Sequence, residues 1–258
     1  MHTVSSIIRK LESFALPGLA QFDYVGLLQG DPFQKVKKVG LTLDYSLRAI
    51  DATIDAGCQL LITHHGPTSI HYPLIGNQLE KIVRAKNGQL SIYRSHLCLD
   101  FCHDGIIAEL CRLMQIPAQP VTTQYEGQTI TGGVYLAENY PMTFAQLSER
   151  IKSLRTNYFR VAGLKKLRFK RIAVTSGKGF ISEFFDQLMP EVYIAGEFEQ
   201  EAVEYARDLG IMLVELSHHA SEVRSLENVA ATLTDKLEIA VQLIESPESI
   251  EIVKLDSH

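Results

Sequence analysis

Cysteines, long apolar runs and an excess of positive charge are scarce or missing here, and each absence excludes a class of protein. Four cysteines in 258 residues are too few for the disulfide framework of a secreted protein. No segment approaches the roughly 18 consecutive apolar residues of a membrane span. The formal net charge of −5 argues against a nucleic-acid-binding protein, because such proteins usually carry a basic face.

The amino terminus has no recognisable targeting signal. Residues 1–16 lack the charged start, the long apolar middle and the small-residue cleavage site of a signal peptide. We therefore expect a cytoplasmic protein that does not enter a membrane.

A chain of this length can bury roughly 70–75% of its unfolded surface, so its folding requires neither a disulfide nor a metal ion. Any bound metal is expected to serve chemistry.

Strand and helix signals alternate along the first half of the chain. Residues 38–45, 58–63 and 90–96 have the apolar and β-branched composition of strands. Residues 46–57 have helical spacing and open with Ser46, a candidate N-cap. A strand, a helix and a strand joined by short connections form a βαβ unit, which implies a parallel sheet and an α/β fold.

Other segments interrupt or repeat this plan. Residues 22–32 are punctuated by glycine and proline and predict a loop, while residues 121–146 predict a hairpin. The segments 49–65 and 202–219 share a helix, a helix-ending glycine, an apolar strand and a final His-His pair. We interpret these two segments as related half-units of the fold.

Histidines stand at the ends of three predicted strands. They are His64-His65, His96 and His218-His219. In an open parallel sheet, ligand sites form beyond the carboxyl ends of the strands, so we expect these imidazoles along one rim. Gly66-Pro67 ends the first strand, and this turn allows the adjacent imidazoles to converge, one for each of two metal ions. A solvent-facing histidine pair at a strand end is the alternative.

Two of these histidines are followed four residues later by a carboxylate. His218 and Glu222 fall on one face of a helix that begins there, with His219 turned about 100° away. His96 and Asp100 have the same spacing. Both pairs are candidate metal ligands. Glu222 has a second interpretation, as a first-turn glutamate favoured by the helix dipole.

The segment 95–104 also allows a structural zinc site, with the ligands His96, Cys98, Cys102 and His103. The spacing fits poorly, because structural zinc sites favour close cysteine pairs with a distant second pair. We instead interpret Asp100 as a ligand and the cysteines as small buried hydrophobic residues.

The candidate ligands supply three imidazoles and two carboxylates: His64, His65, Asp100, His218 and Glu222. Such donors suit two divalent ions of zinc, iron, manganese or nickel. Two carboxylates would leave the pair of ions with net positive charge for an anionic substrate. A water at an open coordination position would have a lowered pKa, because the metal ion stabilises its hydroxide form. Such a water suits hydrolysis of phosphate esters, amides or ring C–N bonds. These residues alone do not choose between the three reactions.

The glycine-rich segment 175–180, TSGKGF, allows two interpretations. Its glycine amides are able to cradle a phosphate, although the spacing is not that of a P-loop. A plain tight turn explains the same residues. The basic runs at 35–38 and 165–171 are likewise either solvated side chains or a local nucleic-acid contact.

Six motifs, in this order, resemble the GTP cyclohydrolase I type 2 homologue family, also called the Nif-three-like family: FDYVGLLQGDP, LITHHGP, RSHLCLD, GGV, AGE and LSHHASE. The resemblance implies an α/β fold in a single domain, 1–258. It implies two similar lobes, about 1–125 and 126–258, with mixed, largely parallel sheets surrounding a di-metal site. It also implies that Glu222 bridges the metals and that subunits form a hexameric ring. His96 is our candidate for proton transfer or substrate contact.

The resemblance and the candidate site together favour a di-metal-dependent hydrolase that acts on a nucleotide-like or phosphate-containing small molecule. Two departures from the family pattern bear on substrate choice. Ser217 stands where the family has a glycine before the second His-His pair, and Ile106-Ile107 stand where the family often has two asparagines. The alternative is a non-enzymatic metal-binding ring scaffold or regulatory protein. Such a ring would bind a partner or, through the basic runs at 35–38 and 165–171, nucleic acid.

Overall fold

The computed structural model describes residues 2–14, 23–67, 75–125, 127–179, 182–248 and 250–253. Its strands are β1 (His2–Thr3), β2 (Gly26–Gln29), β3 (Lys35–Val36), β4 (Lys38–Thr42), β5 (Leu60–Thr63), β6 (Ser91–Arg94), β7 (Gln119–Tyr125), β8 (Gln128–Ala137), β9 (Met142–Thr143), β10 (Arg160–Gly163), β11 (Arg168–Phe169), β12 (Ile172–Val174), β13 (Val192–Ala195), β14 (Met212–Glu215) and β15 (Ala240–Leu243).

The helices follow the same chain order. They are α1 (Val4–Glu12), α2 (Leu47–Asp55), α3 (Gly76–Asn87), α4 (Leu97–Asp100), α5 (Ile106–Leu113), α6 (Phe144–Ile151), α7 (Ser182–Leu188), α8 (Gln200–Asp208), α9 (His218–Glu222) and α10 (Ser225–Leu237), with a 3-10 turn at Lys152–Leu154. Within this described part of the chain, no helix combines the length and the apolar character needed to cross a membrane.

The first sheet has five strands in the order β15-β4-β5-β6-β2. Four of them run parallel, and β2 closes one edge antiparallel to β6. The predicted βαβ unit is present as β4, α2 and β5. The prediction of a loop over 22–32 was wrong for Gly26–Gln29, because these half-buried residues find backbone partners along β6. Residue 22 lies outside the described residues.

The second sheet has six strands in the order β10-β14-β13-β12-β8-β7. The central strands β12, β13 and β14 are parallel, and the outer strands pair antiparallel. The hairpin predicted within residues 121–146 is confirmed by the pairing of β7 with β8. The prediction of an α/β fold with mixed sheets is therefore confirmed.

The division of the strands between the two sheets does not coincide with the predicted lobe boundary between residues 125 and 126. β7 ends at Tyr125 but belongs to the second sheet, whereas β15 lies near the carboxyl terminus and belongs to the first. β15 adds parallel to β4 and so pairs the backbone of an otherwise open edge. The division into two lobes near residue 125 stays a prediction about folding units.

The segment that contains α4 and α5 joins the apolar cores of the two sheets. Leu99 and Ile106 pack into the core of the first sheet together with residues of α10. Ile107 and Leu110 pack into the core of the second sheet. Burying a side chain of this size contributes about 1.5–3 kcal/mol. Neighbouring residues therefore anchor both sheets and hold Asp100, at the end of α4, between them.

Two helix–strand units are built alike. Ser46 caps α2 as predicted, since its hydroxyl accepts the Ala49 N–H at 3.1 Å. Soon after α2 and α8 comes a glycine in the left-handed region, Gly57 at φ +71° and Gly210 at φ +69°. Each unit then continues into a buried parallel strand, β5 or β14, that leads to histidines. The segments interpreted as half-units thus share the same order of elements.

Candidate metal centre

Parallel strands of both sheets direct their carboxyl ends to one region, where ligand sites form in α/β proteins. Residues that follow strands of the first sheet here are Asp44, His64, His65 and His96. Residues that follow strands of the second sheet are Ser176, Glu197 and His218. The short helices α4 and α9 contribute Asp100 and Glu222.

Glu222 stands at the centre of the five residues predicted as ligands. Its Oε1 lies 3.6 Å from His64 Nε2 and 3.3 Å from His218 Nε2, and its Oε2 lies 3.1 Å from His65 Nε2. His64 Nε2 is also 3.6 Å from Asp100 Oδ2. Within the described residues, groups able to hold a metal ion are His64-Asp100-Glu222, His65-His218-Glu222 and His64-His65-His96. The structure therefore brings all five residues together.

The environment of His64 fits a bound cation. Its side chain has no exposed surface, and neither ring nitrogen has a hydrogen-bond partner among the described residues. Buried polar atoms are nearly always paired, because leaving one unpaired costs roughly 1–3 kcal/mol. A divalent ion held jointly with Asp100 and Glu222 would supply the missing partner. Imidazole and carboxylate together are donors that such ions accept.

Two further carboxylates, neither of them among the predicted site residues, orient the histidines. Asp44 Oδ1 lies 2.9 Å from His65 Nδ1, and Glu197 Oε1 lies 3.1 Å from His218 Nδ1. A carboxylate on the far nitrogen of a histidine ligand fixes its tautomer and ring orientation. Both residues follow a parallel strand, so the strand-end rule applied to the histidines also points to them.

His96 lies beside the predicted ligands and has its own carboxylate partner. Its ring centroid is 5.0 Å from that of His64 and 6.1 Å from that of His65. Its Nδ1 lies 2.7 Å from Asp23 Oδ2, and Arg94 Nη1 donates to Asp23 Oδ1 at 2.7 Å. Burial alone would raise the pKa of Asp23, but hydrogen bonds from His96 and Arg94 hold it below its usual value. Asp23 lies in the segment predicted as a loop, where no spacing to a histidine pointed to it.

Charge pairing shifts several pKa values in the centre. Burial alone would raise the pKa of the Glu222 carboxyl, yet the surrounding imidazoles, His64 foremost, lower it well below its usual value. The hydrogen bond to Glu222 raises the pKa of His218 to about 9. Burial opposes the charged form of His65, but Asp44 and Glu222 outweigh it and raise the pKa to about 10. Glu222 is therefore held as an anion, and its charge favours positive charge, from protons or metal ions, beside it.

Ser217 holds the backbone before the second histidine pair in an unusual conformation, with φ +79° and ψ 147°. Its hydroxyl accepts the Ala220 N–H at 3.1 Å and so caps α9. From this start, His218 faces the centre. His219 turns away, as predicted, and its Nε2 lies 2.6 Å from the Ser246 carbonyl oxygen.

The structural zinc alternative over residues 95–104 does not fit the structure. Cys98 and Cys102 are free and buried, and burial raises the pKa of Cys98 to about 12 and that of Cys102 to about 11. Within the described residues, none of the groups close enough to hold a metal ion contains a cysteine. The His103 side chain is 91% exposed and pairs with Asp104.

The glycine-rich segment 175–180 forms a turn whose amides are engaged within the protein. The Gly177 amide donates to Ser221 Oγ at 2.9 Å, and the Gly179 amide donates to the Glu197 carbonyl oxygen at 3.2 Å. These contacts favour the tight-turn interpretation over a phosphate cradle. The last residue of the segment lies outside the described residues.

The same turn packs directly against the centre. Ser176 Oγ donates to Asp100 Oδ1 at 2.8 Å and so orients that carboxylate. Gly177 has φ +54°, and a Cβ there would lie 2.5 Å from Glu222 Oε1. Glycine is therefore required at this position by both the backbone conformation and the close approach of the carboxylate.

Two cavities border the centre, and His96 and His218 line both of them. One cavity has a volume of about 420 Å³ and aromatic walls that include Phe101 and Phe184. The other has a volume of about 920 Å³ and is lined in part by Tyr158. Both volumes fall within the range of pockets that bind small organic molecules.

The chain belongs to the DUF34/NIF3 family (NGG1p interacting factor 3), whose sequence profile matches residues 2–249. The relative named GTP cyclohydrolase 1 type 2 homolog from Clostridium acetobutylicum is 26% identical, with 92% of this chain and 90% of the relative covered. Its namesake from Methanocaldococcus jannaschii is 26% identical, with 91% and 96% covered. NGG1-interacting factor 3 from Saccharomyces cerevisiae is 25% identical, with 74% and 73% covered.

Solved structures show the same fold. Reduced HcgD from Methanocaldococcus jannaschii matches with a TM-score of 0.79 and 24% identity, covering 95% of this chain and 98% of that chain. Staphylococcus aureus protein SA1388 matches with a TM-score of 0.77 and 20% identity, covering 98% and 99%. The family resemblance inferred from the sequence motifs is confirmed by the profile match over residues 2–249.

Proposed function

We propose that the chain is a di-metal-dependent hydrolase acting on a nucleotide-like or phosphate-containing small molecule. The observation that carries the proposal is the convergence of three imidazoles and two carboxylates beside cavities of small-molecule size. One of these imidazoles, His64, has no hydrogen-bond partner among the described residues. The names of the curated relatives, GTP cyclohydrolase 1 type 2 homolog, support a nucleotide-like substrate.

The proposed ligands of the two divalent ions are His64, His65, Asp100, His218 and Glu222. Glu222 is the bridging ligand in this proposal, since each of its carboxylate oxygens lies near a different histidine. Zinc, iron, manganese and nickel all accept this donor set. Bound divalent ions would neutralise anionic substrate groups and lower the pKa of water at the site.

His96 is the proposed proton-transfer residue. Because Asp23 is held as a carboxylate, it accepts the hydrogen bond at Oδ2 and His96 donates it from Nδ1. This arrangement leaves Nε2 of His96 as the nitrogen that takes up or releases a proton. His96 lines both cavities, so a substrate in either one would lie within its reach.

Turnover and metal content test this function together. Metal-loaded protein is assayed against a panel of phosphoesters, nucleotides and amides, with Glu222→Gln as the test variant. Glu204→Gln, on the exposed face of α8, is the matched control. We expect Glu222→Gln to lose both bound metal and turnover, whereas the control keeps them. Turnover that survives in Glu222→Gln would refute the assignment.

The quaternary structure and location belong to the same proposal. We propose a cytoplasmic protein that forms a hexameric ring. The family resemblance supports the ring, and sedimentation of the purified protein tests it. A species six times the chain mass of 28.9 kDa is expected. A monomer at micromolar concentration would contradict the ring but leave the hydrolase proposal standing, because all the proposed ligands come from one chain.

A further inference from the structure

Arg94 is a buried cation in the wall of the larger cavity. It ends β6, its side chain is 2% exposed, and it lines the cavity together with His65, His96 and His218. In the sheet Arg94 pairs in register with Thr63, the residue before His64. The guanidinium therefore lies next to the candidate metal centre.

Among the described residues, partners are present on one side of the Arg94 guanidinium. Nη1 donates to Asp23 Oδ1 at 2.7 Å and also to the Tyr24 carbonyl oxygen. Nε is buried without a hydrogen-bond partner among the described residues, and no hydrogen bond from Nη2 occurs within them. Nε and Nη2 form one edge of the planar fork, the geometry that matches two oxygens of a carboxylate or phosphate.

The acidic residues around the same cavity are already paired. Asp44 and Glu197 hold the histidines of the centre, and Glu215 pairs with Arg160. Glu248 lies 3.4 Å from His219 Nδ1. No carboxylate among the described residues turns to the Nε–Nη2 edge of Arg94, so these residues leave that edge to a bound anion.

Gly66 allows Arg94 to lie at this position. A Cβ on Gly66 would come within 2.8 Å of Arg94 Cδ and 3.4 Å of Nε. The glycine that follows the first His-His pair therefore has a second role besides ending the strand. It keeps the backbone beside the guanidinium free of a side chain.

We propose that the Nε–Nη2 edge of Arg94 binds an oxyanion of the ligand, a phosphate or a carboxylate, within the larger cavity. The organic part of that ligand then lies against the aromatic side chains of Tyr158 and Phe159, which line the same cavity. The statement that this ligand is also the substrate rests on the proposed function. The statement that the site binds an oxyanion does not rest on it.

The test is calorimetric titration of the metal-free full-length chain with inorganic phosphate and, separately, with acetate. Arg94→Lys keeps the positive charge and a donor for Asp23 but removes the second edge. Arg160→Lys makes the same change at another arginine of the same cavity. We expect Arg94→Lys to bind at least one of the two anions about 10- to 100-fold more weakly than the wild type, because bidentate charge-assisted hydrogen bonds are lost. The control should change less than threefold.

Several outcomes decide the proposal. Loss confined to phosphate identifies a phosphate site, and loss confined to acetate identifies a carboxylate site. Equal affinity of Arg94→Lys and the wild type for both anions, or no binding by the wild type, overturns the proposal. If Arg94→Lys does not fold, NMR of the arginine Nε–H signals of the wild type tests the proposal instead. Phosphate or acetate must then shift the signal of a buried arginine Nε–H. Absence of turnover in the metal-loaded protein would refute the hydrolase alone.

Discussion

Replacing Ser217 by glycine should stabilise the protein. Ser217 has φ +79° and ψ 147°, a region of backbone space that residues with a Cβ rarely adopt. It stands directly before His218, so the strain is built into the start of the helix that carries two proposed ligands. Relief of this strain is expected to outweigh what the serine side chain contributes.

The size of the effect follows from three contributions. Strain of this kind costs about 1–3 kcal/mol. The hydroxyl of Ser217 caps α9 at Ala220, and replacing such a cap by glycine costs only a few tenths of a kcal/mol. Glycine also gives the unfolded chain more freedom, which costs roughly 0.5–1 kcal/mol. The net expectation is stabilisation by about 1 kcal/mol.

Urea unfolding of the metal-free protein measures this difference without a contribution from metal binding. Ser217→Ala is the matched variant, because alanine keeps the Cβ and therefore the strain but loses the cap. It should be less stable than the wild type by about 1 kcal/mol. A glycine variant less stable than the alanine variant would refute the claim of strain at this residue.

Three further predictions concern the metal centre. Asp44→Asn should weaken metal affinity by about 10- to 100-fold in competition with a chromophoric chelator. Asp51→Asn, whose half-exposed side chain lies on α2, should leave the metal affinity unchanged. Gly177→Ala should lower the free energy of unfolding by at least about 1 kcal/mol more than Gly57→Ala. Both glycines have positive φ, but only the Cβ at residue 177 would crowd Glu222. Zinc at 100-fold its Kd should stabilise the wild type by about 2.7 kcal/mol and leave Glu222→Gln unchanged. Equal losses in the two alanine variants, or equal zinc stabilisation in both proteins, would contradict the contacts assigned to Glu222.

Local rules were enough to select the five candidate ligands. His64 and His65 stand at a strand end, and Asp100 and Glu222 lie four residues after a histidine, so short spacings placed them before the fold was known. Their ligand role stays a prediction, while their convergence is a structural finding. The orienting carboxylates obey no such spacing. Asp44 is 21 residues from its histidine, and that contact exists only once neighbouring strands are paired.

The fold divides in the same way. β4, β5 and β6 were predictable because each is a compact apolar run, and β5 and β6 each follow a helix. β2 was mistaken for a loop, since its glycine and half-buried residues give no alternation, and only the edge of β6 makes it a strand. The return of β15 to the first sheet is a contact between residues about 200 positions apart in the chain, which no local pattern predicts.

Elemental analysis of the purified protein is the direct test of the di-metal centre. We predict two equivalents of divalent transition metal per chain in the wild type. We predict a marked loss in Glu222→Gln and in His64→Ala, measured on folded protein, because Glu222 is the proposed bridge and His64 has no hydrogen-bond partner among the described residues. Wild-type protein without bound metal after purification and reloading, or unchanged metal content in both variants, would contradict it.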